Sequence, residues 1–241
     1  MNGMKLGVNI DHIATLRQAR RGKTPDPVTG ARMCEQAGCH SIVCHLREDR
    51  RHINDTDLGA LRNAVQTKLN LEMSCAAEIV DIALRVLPEQ ATLVPERREE
   101  LTTEGGLDVA GQQKVIGQVV RRLKSANIAV SLFVDADRVQ IEAARNSGVE
   151  CIELHTGEYA NAVLPAEVQS QLDKLADSAN FAHSLGLRVF AGHGLNYDNV
   201  RPVVKLRYIE ELNIGHSIIA YAVFAGLANA VREMLTLISN Q

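Results

Sequence analysis

No tryptophan occurs in the 241 residues, and aromatic side chains make up only 3% of the chain. A single-strand nucleic-acid binder stacks bases on aromatic rings, so this scarcity argues against that class. Neither sign of charge is in excess: 26 Lys and Arg stand against 29 Asp and Glu, a net charge of -3. No general field draws the chain to nucleic acid or to an anionic membrane, and any anion site has to be local. The five cysteines, Cys34, Cys39, Cys44, Cys75 and Cys151, are odd in number and form no C-x-x-C pair. Neither a disulfide framework nor a zinc knuckle is suggested, and a reducing cytosol fits best. Long apolar runs are missing too. The run 6–10 is stopped by Asp11 and His12, unlike a secretory signal. The most apolar stretch, 217–231, falls short of the ~20 residues a bilayer needs and is interrupted by Gly226 and Asn229. It reads as a buried helix. The expectation is a cytoplasmic protein with no nucleic-acid or membrane partner.

What is present is a 46% hydrophobic content, enough for one large core within a single domain spanning 1–241. Short apolar runs recur, each followed by a polar or glycine-rich turn and then a longer segment of helical composition. Strands are expected at 6–10, 41–46, 69–73, 91–94, 129–135, 151–155, 188–193 and 212–215. Between them, 27–37, 55–66, 111–125, 136–146 and 165–185 carry apolar residues at helical spacing, and Gly38, Gly148 and Gly186 sit where helices commonly end. Eight strands alternating with helices favour a single-domain (β/α)8 TIM barrel of the α/β class. The runner-up, an open doubly wound sheet, lacks a G-x-G-x-x-G after its first strand.

Strands of a parallel barrel are buried on both faces, yet one parity of several of these is polar. Ser41, Val43, His45 and Arg47 share a face of the second strand, Asn70, Glu72 and Ser74 of the third, and Cys151, Glu153 and His155 of the sixth. The apolar parity suits the helix ring, so the polar one should point into the barrel. His45, Glu72, Glu153 and His193 then fall at the carboxyl ends of four strands, where barrel active sites lie. A single strand-end His is more often a hydrogen-bonded core residue. Burial of two carboxyls and two imidazoles in one mouth, however, is costly without a function and shifts pKa values towards the working pH. His155 and Asp135 read as supporting residues that fix a neighbour's orientation.

Gly192-His193-Gly194 and Asn213-Ile214-Gly215-His216 follow the seventh and eighth strands, the second just before a helix starting near Ser217. These two loops build the usual barrel phosphate site, with glycine letting backbone N–H groups approach the anion. A basic run, Arg17, Arg20, Arg47, Arg50, Arg51 and His52, lies near the front of the barrel; Arg50 and Arg51 among Glu48 and Asp49 fit a solvated face, whereas Arg47 shares the inward parity of His45. No H-x-H or H-x-x-x-H spacing seats two imidazoles on one element, and the nearest triple is Asn9, Asp11 and His12, so metal is the weaker reading.

Seven longer stretches carry a resemblance over nearly the whole chain: 7–17 (GVNIDHIATLR), 45–53 (HLREDRRHI), 70–73 (NLEM), 94–96 (VPE), 102–108 (TTEGGLD), 191–195 (AGHGL) and 212–216 (LNIGH). In these the sequence resembles the pyridoxine 5'-phosphate synthase family. The resemblance implies a TIM barrel, usually an octamer, that closes a ring between 3-amino-2-oxopropyl phosphate and 1-deoxy-D-xylulose 5-phosphate with release of inorganic phosphate and water. It implies no metal and no organic cofactor, and two small phosphorylated substrates as partners. By position it makes Glu72 and His45 proton acceptors, His193 a proton donor and Glu153 a stabiliser of the transition state. Asn9, Arg20, Gly194, Gly215 and His216 match contacts to the amino-ketone phosphate; Asp11, His12, Arg47, His52 and Thr102 match contacts to the deoxyxylulose phosphate. Ala220-Tyr221 stands where the family has a Gly-Arg pair, and an extra Arg21 precedes Gly22. The polar segment 97–108 is the natural cover for the site. Two other functions share the phosphate loops: a phosphosugar isomerase or aldolase barrel, and a non-catalytic phosphometabolite-binding barrel. A Schiff-base aldolase needs a strand-borne Lys, and the expected strands contain none; a pure binder has little use for Glu72, His45 and Glu153 together.

Overall fold

The computed structural model describes residues 3–96 and 105–239. Eight parallel strands, β1 (Lys5–Asn9), β2 (Ser41–His45), β3 (Lys68–Met73), β4 (Gln90–Leu93), β5 (Ala129–Val134), β6 (Cys151–His155), β7 (Arg188–Gly192) and β8 (Ile209–Ile214), pair in sequence order, and β8 closes on β1. The helices are α1 (Asp11–Gln18), α2 (Pro27–Ala37), α3 (Asp55–Ala64), α4 (Ala77–Val86), α5 (Val109–Ser125), α6 (Arg138–Asn146), α7 (Gly157–Asn161), α8 (Pro165–Ser184), α9 (Val200–Val204), α10 (His216–Ala225) and α11 (Leu227–Ser239). The expected (β/α)8 TIM barrel is the fold. Local chemistry sets several boundaries. Asp26 caps α2 through the N–H groups of Val28 and Thr29, with Pro27 in the first turn and Gly38 left-handed at the end. Asn54 and Asp57 form a reciprocal capping box on α3.

One parity of each strand packs outward on the helices: Leu6 and Val8, Ile42 and Cys44, Leu69 and Leu71, Ile152 and Leu154 are fully buried there. The other parity fills the barrel, and as expected it is polar. Ser41 donates to Glu211 at 2.8 Å, Thr92 to Asn70 at 2.9 Å, and Gln90 to Thr92 at 3.3 Å. Gly7 belongs to this interior, since a Cβ there would lie 2.1 Å from the Asn213 side-chain oxygen.

Three expectations change. β8 begins at Ile209 rather than at 212, because Glu211 is buried inside the barrel against Lys68 (Nζ–Oε2 2.8 Å) and so reads as polar loop in the sequence. Lys68 in turn starts β3, so the strands do carry lysine, as does β1 with Lys5. Lys68 sits at the amino end of its strand, opposite the mouth, and is held in an ion pair. The stretch 217–231, expected as one buried helix, is two: Gly226, with φ +80°, ends α10 and α11 follows at once. Nor is α10 covered. Ile218 and Ile219 are buried, but Val223 is 66% and Phe224 90% exposed. A run that is apolar all round has no period from which to tell a core helix from one with an open face. No described helix is long and apolar enough to cross a membrane.

Candidate active site

A cavity of about 590 Å³ opens at the carboxyl ends of the strands, and all four expected acid/base residues, His45, Glu72, Glu153 and His193, line it. Strand register brings them together. His45 on β2 is the direct cross-strand partner of Glu72 on β3, and Glu153 on β6 stands between Phe133 and Phe190 of its neighbours. The end of β1 ties this set into one unit. Asn9 Nδ2 donates to Asp11 Oδ2 at 3.0 Å and to Glu72 Oε2 at 3.3 Å, while Asp11 Oδ1 accepts the His45 backbone N–H at 2.9 Å. Glu153 Oε2 accepts from Asn213 Nδ2 at 2.6 Å.

Burial decides the protonation of the carboxyls. It pushes Glu72 well above the usual range, and the neighbouring Glu153 and Asp11 push in the same direction against the Asn9 hydrogen bond. Burial also raises Glu153 to about 7; the Asn213 hydrogen bond and Lys68 oppose it, and Glu211 adds to it. The imidazoles of His12 and His52 are lowered, first by burial, then by His216 for the one and by His45 and Arg47 for the other. Burial therefore favours the protonated form of Glu72 and Glu153 and the neutral form of these two imidazoles, an arrangement suited to proton transfer near neutral pH.

Asn9, Asp11, His12, Arg47, His52, Gly194, Gly215 and His216 of the expected contact residues line the same cavity. The rings of His12 and His216 meet edge to face at 5.1 Å. Gly215 caps α10, so the free N–H groups of that helix's first turn open at the cavity wall beside the left-handed Gly194. Gly215 has a packing reason as well: a Cβ there would lie 2.8 Å from the Asn9 Cβ. Substitution at Gly215 therefore disturbs Asn9 before it tests an anion. Arg20 is exposed beyond α1 and does not line the cavity, and Thr102 lies outside the described residues, as do 97–104 of the expected cover. From its described part, Gly105 reaches the cavity wall and Leu107 donates its N–H to the Phe133 carbonyl at 2.7 Å. Tyr221, at the family departure, tilts against Tyr197 at 4.7 Å and does not line the cavity.

The basic run separates by burial. Arg17 is a buried structural cation, bidentate on Asp57 at 2.6 and 2.7 Å and donating to the His52 carbonyl at 2.9 Å. It pins the loop that carries Arg47 and His52. Arg50 pairs with Asp55 and Glu78, and Arg51 with Asp49, on the solvated face. Arg47 is buried and turned to the cavity, 3.4 Å from Glu96. Glu96 was not singled out by the sequence. It also faces His45 Nε2 at 3.5 Å; burial alone would raise its carboxyl, but His45 and Arg47 hold it below the ordinary value. Its signal was positional: a carboxylate just past the end of the fourth strand.

Asp11, His45 and Glu72 bring ligand-type atoms within 4.8 Å of one another, the one such group among the described residues. Both Asp11 oxygens and Glu72 Oε2 already accept hydrogen bonds from Asn9 and the His45 backbone, while His45 Nε2 makes no hydrogen bond among the described residues and lies 3.5 Å from Glu96 Oε2.

Residues 6–240 match the family model described as pyridoxal phosphate biosynthesis protein PdxJ. Among curated relatives, pyridoxine 5'-phosphate synthase of Photobacterium profundum is 56% identical over 234 residues, covering 97% of this chain and 96% of that protein. The protein of the same name from Acaryochloris marina is 57% identical over 236 residues, covering 98% of each. Solved structures show likeness of fold alone. That of 3-hexulose-6-phosphate synthase superposes with a TM-score of 0.67 at 16% identity, covering 98% of this chain and 100% of that one. A 4-hydroxy-2-oxoglutarate aldolase/2-deydro-3-deoxyphosphogluconate aldolase from TTHB1 gives 0.64 at 16%, covering 97% of this chain and 94% of that one.

Proposed function

The chain belongs to the PdxJ family of pyridoxal phosphate biosynthesis proteins and is an enzyme that forms pyridoxine 5'-phosphate; we propose that it does so at the barrel mouth, with the lining residues in the following roles. The substrates are 3-amino-2-oxopropyl phosphate and 1-deoxy-D-xylulose 5-phosphate, and inorganic phosphate and water are released. Amine addition to a ketone, dehydration, phosphate elimination and an aldol-type closure each make or break a bond to carbon and each need a proton moved as they do so. The observation that carries the assignment is the convergence of His45, Glu72 and Glu153, from three strands, and His193, just past the end of β7, on one cavity of about 590 Å³. That volume is within the range of about 300–1,000 Å³ typical of small-molecule sites.

Glu72 and His45 take protons in this scheme. A buried carboxyl, once ionised beside the substrate amine, is a strong base because burial favours its protonated form. His193 donates to the leaving oxygen. Glu153, held by Asn213, faces the charge that develops at the transition state. The amino-ketone phosphate sits against Gly194, Gly215 and His216 at the first turn of α10, with Asn9 beside it; Arg20 is assigned to it by the resemblance alone, since its side chain is exposed outside the cavity. Arg47, with Asp11, His12, His52 and Thr102, takes the deoxyxylulose phosphate. Neutral His12 and His52 are suited to hydrogen-bond sugar hydroxyls, leaving the anion to Arg47 and backbone N–H groups.

A homo-octamer and a cytoplasmic location complete the proposal. Self-association is supported by the open apolar face of α10 at Val223 and Phe224, which a second copy would cover. The rival Schiff-base aldolase finds its lysine, Lys68, at the wrong end of the barrel. Phosphate release measured with both substrates together and with each alone tests the assignment. Release only with both is expected; release from either substrate alone would replace the condensation with a phosphatase or phosphate-elimination reaction, and none at all would favour an isomerase or the binding barrel.

A further inference from the structure

His193 occupies a demanding backbone position. Its φ is +77° and that of Gly194 is +82°, so a residue with a Cβ stands in the left-handed region where glycine is favoured. Such a conformation persists only where the surroundings hold it. The surroundings come from the end of β6. The Thr156 hydroxyl, fully buried, lies 2.6 Å from the His193 carbonyl and 2.8 Å from that of Gly192, and its single proton serves both. One residue earlier, the His155 ring stands edge to face against the His193 ring at 5.1 Å, with Phe133 at 5.1 Å from the first ring and 6.4 Å from the second.

The His155 ring is fixed in its turn. Its Nδ1 lies 3.0 Å from Asp135 Oδ1, at the end of β5. A carboxylate can only accept, so Nδ1 carries the proton. The same oxygen accepts the Gly106 N–H at 2.8 Å, and Gly106 is packed so closely on the end of β5 that a Cβ would lie 2.3 Å from the Asp135 nitrogen. The Asp135 carboxyl lies below its ordinary value, chiefly through the His155 hydrogen bond, and so is ionised at neutral pH. His155 itself does not line the cavity.

We propose that His155, anchored by Asp135, is a positioning residue that holds the His193 imidazole in its reactive orientation. The pair acts through His193 and touches no substrate. The inference rests on the assignment of His193 to the reaction, and the experiment separates the two.

His155→Phe keeps a ring of similar size against Phe133 and His193 but removes the bond to Asp135; Asp135→Ala removes the anchor from the other end. Each is to be measured for kcat, for the KM of both substrates and for Tm, alone and combined with His193→Ala. Misplacement of a reacting group by about 1 Å is worth on the order of 100-fold. Each single variant is therefore expected to lose roughly 10–100-fold in kcat with both KM values within about twofold of the parent. Added to His193→Ala, neither should reduce kcat further, because the two residues share one role. Unchanged kcat in either single variant that folds overturns the proposal. So does a loss that appears in full on top of His193→Ala, which marks a structural or separate role. If His155→Phe does not fold, Asp135→Ala alone decides. Full turnover of His193→Ala itself would remove His193 from the reaction, and the inference with it.

Discussion

Replacing Glu153 by Gln removes a carboxyl that burial keeps protonated up to about pH 7. The unfolded chain releases that proton near the ordinary value of 4.5. Between the two, the folded protein binds the proton and the unfolded one does not, so stability falls as pH rises. The contribution is complete below about 4.5 and is lost as pH passes through the folded value. The gap corresponds to about 3 kcal/mol once Glu153 is ionised, net of the Asn213 hydrogen bond and the Lys68 charge that oppose the rise. Gln keeps an oxygen for the Asn213 amide and carries no charge. For a domain of this size 1 kcal/mol moves Tm by about 2–4 °C. Thermal unfolding of parent and Glu153→Gln, followed from pH 5 to pH 8.5 at fixed ionic strength, is expected to show Tm curves that meet near pH 5. They should then diverge by roughly 5–10 °C in favour of the variant at the alkaline end. Parallel curves would refute the reasoning, since they would mean that Glu153 titrates alike in both states. A variant that is less stable at every pH would show instead that the hydrogen bond to Asn213 outweighs the burial of charge.

Glu72→Gln preserves shape and removes the base, so kcat is expected to fall about 10²–10⁴-fold with substrate binding retained; a raised KM with kcat unchanged would make Glu72 a contact instead. Exhaustive chelation should leave turnover intact, because three carboxyl oxygens of the Asp11, His45 and Glu72 group already accept hydrogen bonds from Asn9 and the His45 backbone; activity lost and then restored by a single divalent metal would overturn this. Asp57→Ala strands the buried Arg17 guanidinium and removes one half of the α3 capping box, and denaturant unfolding should show a loss of about 3–5 kcal/mol; a loss below 1 kcal/mol would mean that water reaches Arg17.

Much of the site was legible because a barrel imposes a simple rule on strands. Side chains alternate and the carboxyl ends converge, so the inward parity of Ser41 and His45, of Asn70 and Glu72, and of Glu153 and His155 could be read before any coordinates. The glycine loops after the seventh and eighth strands were legible for a related reason, since the strand ends that carry them converge on the same mouth. Reading failed where a polar residue is internal for structural reasons. Glu211 and Lys68 hid the starts of β8 and β3 because a buried ion pair looks in sequence like solvated loop. Arg17 and Arg20 looked alike three residues apart, yet one is spent on Asp57 and the other is exposed.

The sequence by itself determined the barrel and the placement of His45, Glu72, Glu153, His193 and the two glycine loops at its mouth, because each rests on local periodicity or on a residue type at a strand end. The tertiary structure alone decided the state of those residues. Glu72 and Glu153 hold their protons because chain segments distant in sequence exclude water from them and place like charges beside them. Glu96 joined His45 and Arg47, and Asp135 joined His155, through contacts 20 or more residues apart in the chain. The open face of α10 became visible only when its neighbours were in place. Alternation and turn chemistry act over a few residues and are written in the chain, whereas desolvation, pairing and exposure depend on which distant atoms arrive, and only the closed barrel fixes that.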